Sequence, residues 1–305
     1  YLLILCSLLF FILILNFIYN KHQYNYIWSK RFNSIDKYNL KDTEYISMKK
    51  IIKDQINNSN KYLWIRNTSN NEDIKTDLDY FGELIPNIKK PIILITSDGD
   101  RSVPSSYNKD LVNNILSSPK IIKWYTQNYD KTIIHPKLDY YPIGLDLHTK
   151  KYLNLNYFDK FRSYDMLRSN KFNYYLEIKS MNLNKINKIF CDSHLSLSHP
   201  RRSEMYDILK DNQMINFLNE KVSQSEIIKK YAEHRFILSP RGNGIDCHRT
   251  WEIFLLGSIV ITETSSLDDM YISNNLPVII LKDFSELNKM DYNDLDKLWE
   301  KNKHK

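Results

Sequence analysis

The sequence predicts an α/β protein made of two Rossmann-like units of parallel strands that face each other across a cleft. Three observations carry this. The first is a strand, Gly-rich turn, helix and strand in succession. Phe236-Ile237-Leu238 is followed by the turn Ser239-Pro240-Arg241-Gly242-Asn243-Gly244-Ile245-Asp246, an apolar helical stretch to Gly257, and the apolar run Ser258-Ile259-Val260-Ile261-Thr262. The second is Pro91-Ile92-Ile93-Leu94-Ile95-Thr96, a continuous apolar run that ends in Ser97-Asp98-Gly99-Asp100. Such runs mark parallel strands buried on both faces. The third is length: 305 residues exceed one average domain and suit two.

The elements follow in order. Leu2 to Ile18 is almost wholly apolar, close to the roughly 20 residues that span a bilayer. No small-residue cleavage site follows, so residues 1–19 are expected to be a transmembrane signal anchor. The chain opens on Tyr1 rather than Met, so residues before it are expected. Residues 20–42 are polar and aromatic and read as a stem. The first unit, 43–150, opens with Ile46, Ile51, Ile52 and Ile56 at helical spacing. Lys61–Arg66, Pro91–Thr96, Ile121–Tyr125 and Leu138–Tyr141 read as strands, and Tyr107–Leu116 as an amphipathic helix. Residues 151–184, rich in Tyr, Asn, Phe and Lys with no clear period, read as an inter-domain connection with helical pieces. The second unit, 185–305, has strands at Ile186–Cys191, Arg235–Leu238 and Val278–Leu281. Its helices are Arg201–Lys210, one opened by the capping box Ser223-Gln224-Ser225-Glu226 and running to about Glu233, and Asp291–Glu300.

Composition is that of a globular protein. The net charge of +7 comes from dispersed Lys and Arg. With no basic block, there is no nucleic-acid footprint. Cys6, Cys191 and Cys247 form no C-x-x-C pair, which argues against zinc and against a disulfide framework. Cys191 and Cys247 could meet at one sheet edge, or be two free, partly buried thiols. Asn57-Asn58-Ser59 and Asn67-Thr68-Ser69 are glycosylation triplets, of the kind an Asn-rich chain produces by chance.

Three of the six glycines lie at or just after the second unit's turn. In an open parallel sheet this turn sits at the carboxyl end of the strands, where ligands bind. The helix N-terminus there suits a phosphate. Two glycines spaced by one residue suggest close backbone approach to a ligand.

The stretch from Phe236 to Asp283 resembles the donor-binding half of the exostosin-like glycosyltransferases. The residues that carry the resemblance are Phe236-Ile237-Leu238-Ser239-Pro240-Arg241-Gly242, Arg249-Thr250-Trp251-Glu252, Gly257-Ser258-Ile259-Val260-Ile261 and Leu276-Pro277-Val278. Their order and context make the match specific. The chain departs from the G-C-I-P-V of many members at Ser258 and Val260, where no ligand contact is expected. The resemblance implies a GT-B fold with two Rossmann-like domains. It implies transfer of a sugar from a nucleoside diphosphate, UDP by the family pattern, onto a glycan or glycoprotein hydroxyl, with inversion and no metal or other cofactor. It also implies a single-pass type II anchor and a body in the Golgi or ER lumen. The basic flank Lys21, His22, Lys30 and Arg31 argues for the opposite orientation by the positive-inside rule.

On the helix after Gly244, His248, Arg249 and Glu252 share one face, while Trp251, Phe254 and Leu255 are expected to turn toward the sheet. The resemblance gives Glu252 the ribose hydroxyls and Arg249 the diphosphate. The amides of Gly242, Asn243, Gly244 and Asp246 would cradle that diphosphate, with His248 beside it. The plain alternative is a helical Arg–Glu pair beside a buried His. Arg241 is a second diphosphate contact or a solvated turn residue. Of Arg201 and Arg202, which open a helix at the neighbouring turn, Arg202 is the donor-binding candidate. Asp98 and Asp100 are candidates for the base that takes the acceptor proton, or they simply make a turn. They lie in the half opposite the donor motif, so a metal-binding D-x-D is not expected. The rival from another class is a membrane-anchored glycan-binding protein that kept the fold and lost turnover. A nucleotide-dependent oxidoreductase is disfavoured, because no G-x-G-x-x-G opens a domain.

Overall fold

The computed structural model describes residues 48–67, 76–147, 164–196 and 198–305. The expected anchor, the stem and the first part of the connection lie outside the described residues. Among the described residues no helix is long and apolar enough to cross a membrane.

The first unit is a four-stranded parallel sheet in the order β1-β2-β3-β4. Its strands are Tyr62–Arg66, Ile92–Ser97, Ile121–Thr126 and Leu138–Tyr140. Helices α1 (Met48–Asn57), α2 (Asp77–Leu84) and α3 (Lys109–Ser117) cover it. The sequence reading missed α2, whose signal is a complete capping box: the Thr76 hydroxyl accepts from the Asp79 amide, and the Asp79 carboxylate accepts from the Thr76 amide. Ile51, Ile52, Phe81, Leu94, Ile115 and Trp124 are buried in one core. Each such side chain contributes about 1.5–3 kcal/mol.

The second unit is a five-stranded parallel sheet in the order β6-β5-β7-β8-β9. The strands are β5 (Ile186–Cys191), β6 (Ile215–Phe217), β7 (His234–Leu238), β8 (Ile259–Glu263) and β9 (Val278–Leu281). The helices are α4 (Tyr164–Ser180), α5 (Arg201–Leu209), α6 (Gln224–Glu233), α7 (His248–Leu255), α8 (Asp268–Ser273) and α9 (Tyr292–Asn302). Strand side chains alternate between two cores, as a period of two requires. Ile189, Phe236, Leu238, Ile259 and Ile261 meet α5 and α9 on one face. Phe190, Ile237 and Val260 meet α4, α6 and α7 on the other.

Two local differences from the sequence reading have clear causes. Residues 164–180 form one 17-residue helix. Its Tyr175 and Ile178 belong to the second unit's core, so that core begins upstream of residue 185. Ile253 of α7 and Leu256 just after it are buried in the core against the sheet, with Phe254 and Leu255 packed at its margin. Trp251 packs on Phe254, which also meets Tyr271 of α8. Asn67 of the second glycosylation triplet is fully buried, held by the Arg101 carbonyl and the Tyr107 hydroxyl, and so is closed to modification in the folded chain.

Candidate active site

The chain leaves β5 for β6 on one side and returns to β7 on the other, so the strand order reverses between β5 and β7. In open α/β sheets, ligands bind outside the carboxyl ends of strands at such a switch point. A cavity of about 500 Å³ lies there. Its walls come from the turn after β5 (Asp192, Ser196, Ser198), from the start of α5 (Arg202), from α6 (Gln224, Ile227, Ile228, Tyr231) and from the Gly turn with α7 (Gly242 to Glu252). Asp100, Ile143 and Asp146 close it from the first unit.

Helix α7 starts at Cys247, whose backbone is extended and whose side chain makes no capping bond. It stops at Gly257, which has φ of +71°. The Gly257 amide donates to Phe254 O and the Ser258 amide to Ile253 O, the paired bonds of a Schellman ending. The helix therefore presents its N-terminal turn to the cavity and ends directly before β8.

Two guanidiniums meet the cavity. Arg249 lies in a network: its Nε donates to the Tyr231 hydroxyl at 3.0 Å and stands 3.3 Å from Asp192 Oδ1, and the Tyr231 hydroxyl donates to the same Asp192 oxygen at 3.0 Å. Burial opposes its charge, but Asp192 and Tyr231 hold Arg249 well above the usual arginine range. Arg202 is 7% exposed and donates from Nε to the Arg241 carbonyl. Burial and the neighbouring Arg249 push its pKa down. A charge held under those conditions favours an anion beside it.

Glu252 is 7% exposed, and its Oε1 accepts from the Tyr175 hydroxyl at 2.6 Å. Burial, then the nearby Glu252 carboxylate, raises the Tyr175 pKa far above its ordinary value, so the hydroxyl stays a donor. This leaves Oε2 of Glu252 for another donor.

Asp246 and His248 hold the two units together. The Asp246 carboxylate is buried and accepts from the Ile143 amide at 2.7 Å and from Trp251 Nε1 at 2.8 Å. Its own amide donates to Asn128 Oδ1 at 2.9 Å. Burial pushes its pKa up to about 6, against those two bonds. His248 donates from Nδ1 to the Gly144 carbonyl at 2.8 Å. Tyr140 adds a bond to the Ser266 carbonyl, and Lys131 an ion pair to Asp269.

The remaining expected residues separate. Gly242, Asn243 and Gly244 line the cavity. Arg241 does not: it is exposed, folds back onto the Gly242 and Asn243 carbonyls, and borders a second cavity of about 310 Å³ beyond the turn. Arg201 is committed to Glu263, Asp283 and Glu204. Asp100 lines the cavity, exposed. Asp98 does not line it; its φ is +66° and its amide donates to Gln127 Oε1. Cys191 and Cys247 are free thiols, and Cys247 Sγ accepts from the Gly242 amide. Sequence reasoning missed Asp192, Tyr231 and Tyr175. Their partners are 57, 18 and 77 residues away, so no spacing announces them. Among the described residues no group of three or more His, Cys, Asp or Glu could hold a metal ion.

No family model matches the chain, and no curated protein matches it in sequence. Among solved structures, the α,α-trehalose-phosphate synthase (UDP-forming) of Burkholderia vietnamiensis is similar at 8% identity and a TM-score of 0.41, over 83% of this chain and 72% of that one. At that score the likeness decides nothing about chemistry.

Proposed function

We propose that the chain is a glycosyltransferase of GT-B type. It moves a sugar from a nucleoside diphosphate, UDP by the exostosin-like resemblance, to a glycan hydroxyl with inversion. The observation that carries this reading is the pairing of Arg202 and Arg249 at one cavity wall with the α7 N-terminus, with Glu252 one turn further along the same helix.

The diphosphate lies between Arg202 and the first amides of α7, where the guanidinium and the backbone N–H groups supply the positive charge. Arg249, fixed by Asp192 and Tyr231, stands behind it. Glu252 Oε2 accepts from a ribose hydroxyl while Tyr175 fixes the carboxylate. Across the cavity, Asp100 takes the acceptor hydroxyl proton. The acceptor oxygen bonds to the anomeric carbon, and the bond from that carbon to the terminal phosphate oxygen breaks. The electron pair leaves on the nucleoside diphosphate, where Arg202 and the helix terminus stabilise it. Residues 1–19 anchor this body to a membrane, with the body lumenal.

A transfer and donor-hydrolysis assay over a panel of nucleotide sugars, run with and without EDTA, tests the proposal. Turnover with at least one donor, surviving EDTA, is expected. A chain that binds glycan but turns over no donor is the glycan-binding rival.

A further inference from the structure

One wall of the cavity is a single face of α6. Gln224, Ile227, Ile228 and Tyr231 line it at the spacing i, i+3, i+4, i+7 that places residues on one helix face. Tyr231, at the inner end, is the residue that orients Arg249. A helix rises 1.5 Å per residue, so Gln224 stands about 10 Å further along the wall. Between them the wall is apolar: Ile227 and Ile228, joined by Leu218 and Val222 from the loop before α6. The cavity thus runs from the Arg202 and Arg249 end along these apolar side chains, with exposed Lys221 of the same loop also lining it, to one amide. Gln224 Oε1 is buried and has no hydrogen-bond partner. A buried carbonyl without a donor is a destabilising group that a bound N–H relieves.

We infer that Gln224 reads the base of the nucleotide, a deepening that rests on the donor reading above. With the diphosphate at Arg202 and the ribose at Glu252, an extended nucleotide places its flat base between Ile227, Ile228, Leu218 and Val222. Its edge then reaches the Gln224 amide. That amide offers an acceptor in Oε1 and a donor in Nε2. Complementary edges are a ring N–H beside a ring carbonyl, as in uracil and guanine, and an exocyclic amine beside a ring nitrogen, as in cytosine and adenine; on the donor reading above the base is uracil. Ser223, not Gln224, caps α6, so the side chain at 224 is free of a structural task at the helix start.

The test is calorimetric titration of the full chain with UDP, GDP, CDP, ADP and pyrophosphate, repeated on Gln224→Leu and Gln224→Met. The wild type is expected to bind UDP ahead of the other nucleotides and of pyrophosphate, and the tightest of the four nucleotides identifies the base. Both variants lose about ten- to a hundredfold in affinity for that nucleotide and bind pyrophosphate unchanged. An unchanged preference among the four nucleotides in both variants, or an equal loss for pyrophosphate, overturns the assignment of Gln224. Failure of every nucleotide and of pyrophosphate to bind the wild type sinks the donor reading itself. Thermal melting of the unliganded variants reports whether they fold, and Gln224→Met keeps the length of the side chain if Gln224→Leu does not.

Discussion

Gly244 of the second unit lies against the side-chain amide of Asn128 of the first: a Cβ at position 244 would stand 2.9 Å from both Asn128 Nδ2 and Asn128 Oδ1. That amide is itself held, with Nδ2 donating to the Gly99 carbonyl and Oδ1 accepting from the Asp246 amide. The glycine is therefore required by contact between the units. Close approach to a phosphate, the reason the sequence suggested, is not needed to explain it.

Gly244→Ala is expected to destabilise the chain by about 1–3 kcal/mol, because the neighbour that must move is bonded at both ends. Asn128→Ser removes the obstacle, so the double variant loses less than the two single variants summed. Thermal or urea unfolding of all three checks this, and strict additivity would show that the two residues do not meet.

Asp246 gives the junction a pH dependence with a definite sign. Its folded pKa, about 6, lies above the ordinary carboxylate value. The folded state therefore binds a proton more tightly than the unfolded one. This group's contribution is greatest below about pH 4 and falls as pH rises through 6, by about 3 kcal/mol as an order of magnitude. Asp246→Asn lacks the term. The melting-temperature difference between wild type and Asp246→Asn is expected to favour wild type more at pH 5 than at pH 7.5. A difference that is flat with pH, or of the reverse slope, contradicts the assignment.

Glu252→Gln is expected to weaken UDP binding by about 1.5–3 kcal/mol, the worth of a hydrogen bond to a charged group. Tyr175→Phe leaves the carboxylate in place without its anchor, so a smaller loss is expected there. Titration of UDP into each variant decides it: equal affinity for wild type and Glu252→Gln removes the ribose role.

Asp100→Asn should lower turnover roughly 10²–10⁴-fold with little change in UDP affinity, as loss of a general base does. Asp98→Asn, whose residue lies outside the cavity lining, should leave turnover near wild type. Steady-state rates of both variants separate them, and a larger loss at Asp98 reverses the roles.

Much of this was legible in the chain, for reasons that are local. The apolar runs at Ile92–Ser97 and His234–Leu238 and the Gly turn announced parallel strands and a switch-point site, because periodicity and turn chemistry are written in neighbouring residues. Asp246 in the turn and His248 on the helix face were read as donor contacts, and both line the cavity while also joining the units. Their partners, the Ile143 amide and the Gly144 carbonyl, are more than 100 residues away and carry no side-chain signature. The 17-residue α4 escaped because its apolar residues follow no clear helical period. Of the two adjacent arginines, the fold ties Arg201 to Glu263 and Asp283 and places Arg202, the expected candidate, at the cavity.

Arg202 is where the account is most exposed. Its guanidinium is buried beside Arg249, which costs stability in the unliganded chain, and its role is to hold the diphosphate. Arg202→Met keeps the length of the side chain and removes the charge. The decisive measurement is one titration of UDP into wild type and Arg202→Met, paired with melting of the unliganded proteins. UDP affinity is expected to fall at least tenfold while the melting temperature holds or rises. Equal UDP affinity in the two proteins, each folded, would contradict it.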